Sequence, residues 1–219
     1  MNNERKWILR GGRVLNPAPF CLIGIVNVTP DSFSDGGKYI DPRNAVAHGL
    51  RLLDEGAGML DLGAESTRPF AEPVPEGEEI ARLMPVVARL REQRPDAVLS
   101  VDTLKAGTAR AALEGGADII NDVSACVADP ALLDVLAEYK PGYVLMHSQG
   151  SPREMQVNPR YGNVVEEILA FFEEHLARLV KVGLPEDRIV LDPGIGFGKT
   201  YEENLRLLKT VQDYAVEGC

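Results

Sequence analysis

Cysteine is scarce. There are three in 219 residues, Cys21, Cys126 and Cys219, and none is in a Cys-x-x-Cys spacing. Such a set builds neither a zinc site nor a disulfide framework, and it suits a reducing cytoplasm. Basic residues are outnumbered, 23 against 33 acids, for a formal net charge of −10. A nucleic-acid binder ordinarily carries a basic face, so nucleic acid is not an expected partner. An anionic substrate remains open, because a local cluster can oppose the overall field. No apolar run approaches the ~20 residues that span a bilayer. Met1 to Arg13 is polar and charged, so neither a signal peptide nor a membrane anchor is expected. What remains, 45% hydrophobic and 26% charged residues, describes a globular chain long enough for a sizeable core.

The chain opens with Trp7-Ile8-Leu9 and Arg13-Val14-Leu15 around Gly11-Gly12, the pattern of a short hairpin. Residues 1–19 are therefore expected to form a hairpin and lead-in, and 20–219 the main domain. From Phe20 onward one unit recurs: a short apolar run, a polar turn, an amphipathic helix. The runs are Phe20 to Val26, Met59 to Leu62, Val98 to Val101, Ala117 to Ile120, Tyr143 to Met146 and Arg188 to Leu191. The helices are expected at Arg43–Glu55, Glu76–Gln93, Lys105–Glu114, from Asp129-Pro130 onward, Asn163–Val182 and Glu202–Val211. Strict alternation implies an α/β fold with a parallel sheet and helices outside. A doubly wound sheet suits six strands. A (β/α)8 barrel needs two more units and typically about 250 residues. Periodicity does not choose between them.

Each apolar run is followed at once by polar side chains. They are Asn27, then Glu65 with Ser66, Thr67 and Arg68, then Asp102, Asn121 with Asp122, His147 and Asp192. In a parallel sheet all carboxyl ends lie on one side, so these groups should converge on one rim. Singly, Asp102 or Asp122 reads as a cap of the next helix; six in succession read as a site. The amide oxygen of Asn27 suits a hard cation such as magnesium, or a hydrogen bond to substrate. Asp192 and Asn121 suit a flat heterocycle with amidine-like N–H donors, since a carboxylate accepts two parallel hydrogen bonds. Arg68 and Lys199 are partners for a phosphate. Gly194, Gly196 and Gly198 allow close approach to the backbone, although the run GIGFGK fits neither a P-loop nor a dinucleotide fingerprint. His147 reads as a hydrogen-bonded structural residue, with acid–base work the alternative. His48 and His175 fall on helices as surface residues, and the acidic pairs Glu166-Glu167 and Glu173-Glu174 as solvated faces.

GIVNVTPDSFSDGG (24–37), ESTRP (65–69), SVDT (100–103), IINDVSA (119–125) and DPGIGFGK (192–199) occur together in this order. In these motifs the chain resembles the dihydropteroate synthase family of folate biosynthesis, from about Phe20 to about Leu208. Ala64, where the family usually has a second Gly, and Ser148, where it usually has Met, are minor departures. The resemblance implies a TIM-type (β/α)8 barrel and an alkyl transfer. 6-Hydroxymethyl-7,8-dihydropterin diphosphate would lose pyrophosphate to the amine of 4-aminobenzoate, giving 7,8-dihydropteroate. It further implies Mg2+ on the leaving group with Asn27 as ligand. Thr67, Asp102, Asn121 and Asp192 would contact the pterin diphosphate, with Lys199 also counted as substrate-binding. Asp102 and Asp192 would stabilise the delocalised cation left by the departing pyrophosphate. With Arg68 they form the catalytic group. The loops Val28–Lys38 and Ser66–Pro75 would close over the site. A cytoplasmic homodimer is also implied.

The family continues with a seventh strand carrying an SRKS-type motif and an eighth ending in an RVHDV-type motif. These supply a pterin-contacting Lys and the Arg and His that hold the diphosphate, and neither motif occurs in the 219 residues. The expectation is a six-unit barrel, a fragment or one completed by another chain, unstable when isolated and with little activity. A catalytically silent pterin-binding module and a pterin-dependent methyltransferase are the competing readings.

Overall fold

The six apolar runs become six parallel strands, hydrogen-bonded to one another in the order in which they occur along the chain. The structure is a computed structural model and describes residues 6–29, 41–65, 73–149 and 159–212. A two-stranded antiparallel hairpin comes first, β1 (Trp7–Ile8) and β2 (Val14–Leu15). The sheet follows as β3 (Ile23–Asn27), β4 (Met59–Gly63), β5 (Leu99–Asp102), β6 (Ile119–Asp122), β7 (Gly142–Met146) and β8 (Ile189–Asp192). Helices α1 (Pro42–Asp54), α2 (Glu76–Gln93), α3 (Ala106–Glu114), α4 (Leu132–Tyr139), α5 (Val164–Val182) and α6 (Tyr201–Lys209) alternate with them.

The sequential order decides what periodicity left open. A doubly wound sheet reverses its strand order at a switch point. Here the order runs β3-β4-β5-β6-β7-β8 without reversal, which is the winding of a barrel wall. One face of the sheet packs on the helices. Leu60, Leu62, Leu99, Val101, Ile120, Tyr143 and Leu145 share a core with Leu83, Val86, Val87 and Leu90 of α2 and with Ile168 and Phe172 of α5. Residues of a strand alternate between faces, so Asp61, Gly63, Ser100, Asp102, Asn121, Val144 and Asp192 belong to the other, inner face.

The amino-terminal end of that inner face is closed by the hairpin. Trp7 and Leu9 pack with Met59, Val98 and Ile119 in a second apolar cluster. A Cβ on Gly142 would lie 2.7 Å from Leu9 Cδ2 and 2.9 Å from Ile119 Cγ1, so any larger residue here forces Leu9 or Ile119 to shift. Trp7 Nε1 donates to the Arg188 carbonyl at 2.8 Å, and Arg188 Nη1 donates to the Leu9 carbonyl at 2.8 Å. Asp118 Oδ2 accepts from the Leu99 amide at 3.0 Å and from Arg91 at 2.9 Å.

Three of the six helix starts carry side-chain caps. Asp41 caps α1 through the Arg43 amide at 2.9 Å with Pro42 in the first position, Asn163 caps α5, and Thr200 with Glu203 forms a capping box on α6. The expected start of α4 is corrected. Asp129 Oδ1 does accept from the Ala131 amide at 3.1 Å, but residues 129–131 form tight turns and the helix begins at Leu132. The other Asp129 oxygen accepts from the Ala106 amide at 2.8 Å, so this side chain serves the start of α3 as well. Several strands also run one or two residues later than the apolar runs. Asn27, Asp102, Asn121, Asp122 and Asp192 lie inside strands, because the ladder bonds the backbone whatever the side chain.

Candidate active site

Register places the polar inner-face residues in rows. Asn27 pairs with Gly63, Gly63 with Asp102, and Asp102 with Asn121. The row continues through Val144 to Val190. One layer closer to the hairpin lie Ile25, Asp61, Ser100 and Ile119, again as consecutive partners. Asp192 sits at the carboxyl end of β8 opposite Met146. The upper row is therefore amide, glycine, carboxylate, amide on four adjacent strands. Gly63 leaves the space between its neighbours open: a Cβ there would lie 3.7 Å from Asp102 Oδ2 and 3.9 Å from Asn27 Oδ1.

The carboxylates of this rim are held away from water. Burial pushes the Asp102 carboxyl well above its ordinary range, and the charges of Asp61, Asp122, Glu79 and Glu65 add to the effect. Burial also raises Asp61, against the pull of Ser100 and Asn121. Asp192 is raised by burial, offset by the Gly194 amide, which donates to Oδ1 at 2.7 Å, and by the charge of Lys199. Groups poised in this way answer strongly to a cation or to N–H donors placed among them.

The other rim residues divide. Asp122 turns to the helix side of the sheet. It accepts from the Ser124 amide at 2.8 Å, the Cys126 amide at 2.6 Å and the Tyr143 hydroxyl at 2.9 Å. It thereby holds Ala125 and Cys126 at φ of 54° and 57°, a left-handed pair that only surrounding bonds sustain. Glu65 is bridged by Lys105 Nζ to Glu79, the latter at 2.6 Å. Burial draws the Lys105 ammonium down, and the two carboxylates outweigh it to give a raised pKa. Lys199 is buried, and its Nζ donates to the carbonyls of His147 at 3.1 Å, Gly194 at 3.0 Å and Phe197 at 2.9 Å. Its ammonium is thus spent on backbone oxygens rather than free on the rim for a phosphate. Thr67 and Arg68, and the loop residues Pro30 to Lys38, lie outside the described residues.

His48 and His175 are less superficial than their helical positions suggested, and His147, after a strand, is buried. His147 is buried, with its ring 4.8 Å from Phe171 in an edge contact and its Nδ1 unpartnered among the described residues. Burial and the Lys199 charge bring its pKa down to about 4, so it stays neutral at physiological pH. His175 is half-buried, stacked on Phe171 at 4.1 Å, and His48 is half-buried with Arg51 at 2.9 Å.

Asp61 is the inner-face group that the apolar-run reading passes over. Its signal is an acid in the middle of Met59-Leu60-Asp61-Leu62, where every neighbour is apolar. Asn121 Nδ2 donates to Asp61 Oδ2 at 2.9 Å, reaching across β5. For a metal, no group of three or more His, Cys, Asp or Glu side chains gathers among the described residues. Asn27 offers one hard oxygen. That fits magnesium, which keeps several waters and takes its remaining ligands from substrate phosphates. No helix among the described residues is long and apolar enough to cross a membrane.

Comparison with known proteins adds three findings. A family model described as "Pterin binding enzyme" matches residues 23–219. The dihydropteroate synthase of Mycobacterium leprae is 43% identical over 202 residues, covering 92% of this chain and 70% of the relative. That of Synechocystis is 40% identical over 192 residues, covering 88% and 66%. The chain thus spans about two thirds of the length of the curated relatives it matches. Among solved structures, Xanthomonas albilineans dihydropteroate synthase with 4-aminobenzoic acid superposes with a TM-score of 0.87 at 43% identity, over 96% of this chain and 74% of that one. The Burkholderia cenocepacia enzyme complexed with 7,8-dihydropteroate gives 0.84 at 37% identity, over 96% and 71%.

Proposed function

The chain belongs to the pterin-binding enzyme family, and from that premise we propose that its inner rim is the pterin site of a dihydropteroate synthase. The observation that carries the reading is the row Asn27, Gly63, Asp102, Asn121 on four adjacent strands. It offers hydrogen-bond acceptors around an opening that glycine leaves clear. A reduced pterin ring presents N–H groups along its edge, and carboxylate and amide oxygens are their complement. Asp192 would accept from the 2-amino and N3–H pair, and Asn121 and Asp102 from further ring N–H groups.

In the reaction, the bond between the exocyclic methylene carbon and the diphosphate oxygen breaks, and its electron pair leaves with pyrophosphate. The amine of 4-aminobenzoate forms the new carbon–nitrogen bond and releases one proton. Positive charge develops across the ring and methylene as the diphosphate departs. Asp102 and Asp192, partly desolvated and preplaced, stabilise that charge. Asn27 Oδ1 would hold magnesium, which when bound there neutralises charge on the leaving group. Thr67 and Arg68 belong to the same proposal, as diphosphate contact and as catalytic partner respectively. Lys199 acts on this site indirectly, by fixing the loop that donates to Asp192. A reducing cytoplasm is supported by the free thiols of Cys21 and Cys126. A homodimer is supported by the exposed apolar side chains Tyr201, Leu205 and Leu208 at helical spacing along α6.

The test is pyrophosphate release by the purified chain with pterin diphosphate, 4-aminobenzoate and magnesium. Release that requires all three, at a low rate, is the expected result. A folded chain that binds neither the pterin diphosphate nor the bare pterin would overturn the reading.

A further inference from the structure

We propose that Asp61 is a positioning residue that selects which atom of the Asn121 amide faces the ligand, and so gives the pocket its preference for a ring with N–H groups at that edge. The inference rests on the functional reading above and deepens it.

An asparagine amide has two faces of opposite character, a donor and an acceptor, and an unconstrained one flips between them. In this fold the choice is made from below. Asn121 lies on β6 in the upper row, and Asp61 on β4 in the row beneath. Asn121 Nδ2 donates to Asp61 Oδ2 at 2.9 Å, and a carboxylate can only accept. The amide nitrogen is thereby committed toward the floor, and Oδ1 is the atom left to meet a ligand from above. Asp61 is itself 8% exposed. Besides Asn121, the hydroxyl of the register neighbour Ser100 is the group that opposes the effect of burial on Asp61.

A buried acid held by so few donors costs stability wherever it serves only the fold. Its inner-face neighbour Met59 packs in the apolar floor cluster, which shows what this face carries where packing decides. Asp61 stands where the Asn121 amide reaches it across β5. The whole upper row then presents acceptors: Asn27 Oδ1, Asp102, Asn121 Oδ1. A ring with a bare nitrogen where the reduced pterin bears its N8–H would set one acceptor against another.

The experiment compares 6-hydroxymethyl-7,8-dihydropterin with fully oxidised 6-hydroxymethylpterin, whose N8 carries no hydrogen, by calorimetric titration of the chain. Wild type is expected to favour the dihydropterin at least tenfold. Asp61→Asn keeps an acceptor oxygen for Asn121 and retains the preference. Asp61→Leu and Asp61→Ala release the amide, and the preference narrows at least fivefold while thermal melting stays cooperative. The two truncations fill or empty the same space, so a single folded variant suffices. A merely structural Asp61 would lower both affinities together, and an unchanged ratio in either variant overturns the inference alone. A wild-type chain that binds neither ring overturns the functional reading, and this inference with it.

Discussion

Replacing Lys199 by Met tests how deeply its ammonium is committed. The side chain is 4% exposed and donates to three backbone carbonyls. Burial holds its pKa down at about 8, from an ordinary 10.5, against the attraction of Asp192 and Glu203. Below pH 8 both folded and unfolded chains carry the proton, and stability does not change with its titration. Between 8 and 10.5 the folded chain has released a proton that the unfolded chain still binds, so stability rises with pH across that window. A displacement of this size corresponds to about 3 kcal/mol in full, of which about 2 kcal/mol accrues between pH 7 and pH 9.5. Lys199→Met removes the increment. Urea unfolding of both proteins at the two pH values isolates it, because every other titrating group is common to the pair. The stability of wild type relative to the variant is expected to increase by about 2 kcal/mol on going to pH 9.5. Parallel changes in the two proteins would refute the reasoning and mean that the ammonium stays charged on its carbonyls.

Two further outcomes follow from the packing. Leu9→Ala removes the side chain that fills the barrel floor against Gly142 and Ile119; it is expected to destabilise by about 3 kcal/mol in denaturant titration, and a cost below about 1 kcal/mol would show that the hairpin does not seal that end. Gly194→Ala places a methyl group against the His147 carbonyl at a φ of 65°, so it should displace the amide that donates to Asp192 and weaken pterin binding at least tenfold. Gly196→Ala is its control, with a φ of 86° but nothing within 4 Å of the added atom, and equal losses in the two would sink the argument.

The sheet was legible because a strand buried on both faces must read as an apolar run, and the six runs Met59–Leu62 and its counterparts do. The helices were legible from their apolar spacing, with Glu76–Gln93 falling where the spacing put it although no side chain caps its start. Barrel winding was not legible from periodicity, since it is a property of strand order and no local pattern encodes order; the motif resemblance implied it, and the sequential strand order agrees. The rim placement of Asn27, Asp102, Asn121 and Asp192 was legible because each ends an apolar run. Asp122 follows one too, yet faces the helices, because adjacent residues of a strand point to opposite sides. Lys199 looked like a phosphate partner, but three carbonyls supplied by chain turns claim it instead. Asp61 stayed hidden because an acid inside a strand makes sense only once the residue reaching it from two strands away is known.

The clasp between Trp7 and Arg188 also sets a timetable. The two residues are 181 positions apart, and at 5–20 residues per second a ribosome needs roughly 10 to 35 s to make the second after the first. Through that interval the indole and Leu9 have no Arg188 to meet, and Gly142 arrives only late. The strands can zip onto one another one unit at a time, since each pairs with its immediate predecessor in the sequence. The hairpin cannot finish its docking until nearly all of them exist. The earliest segment to leave the ribosome is thus among the last to find its native contacts. A nascent chain halted before β8 should therefore leave the Trp7 indole N–H without its Arg188 carbonyl.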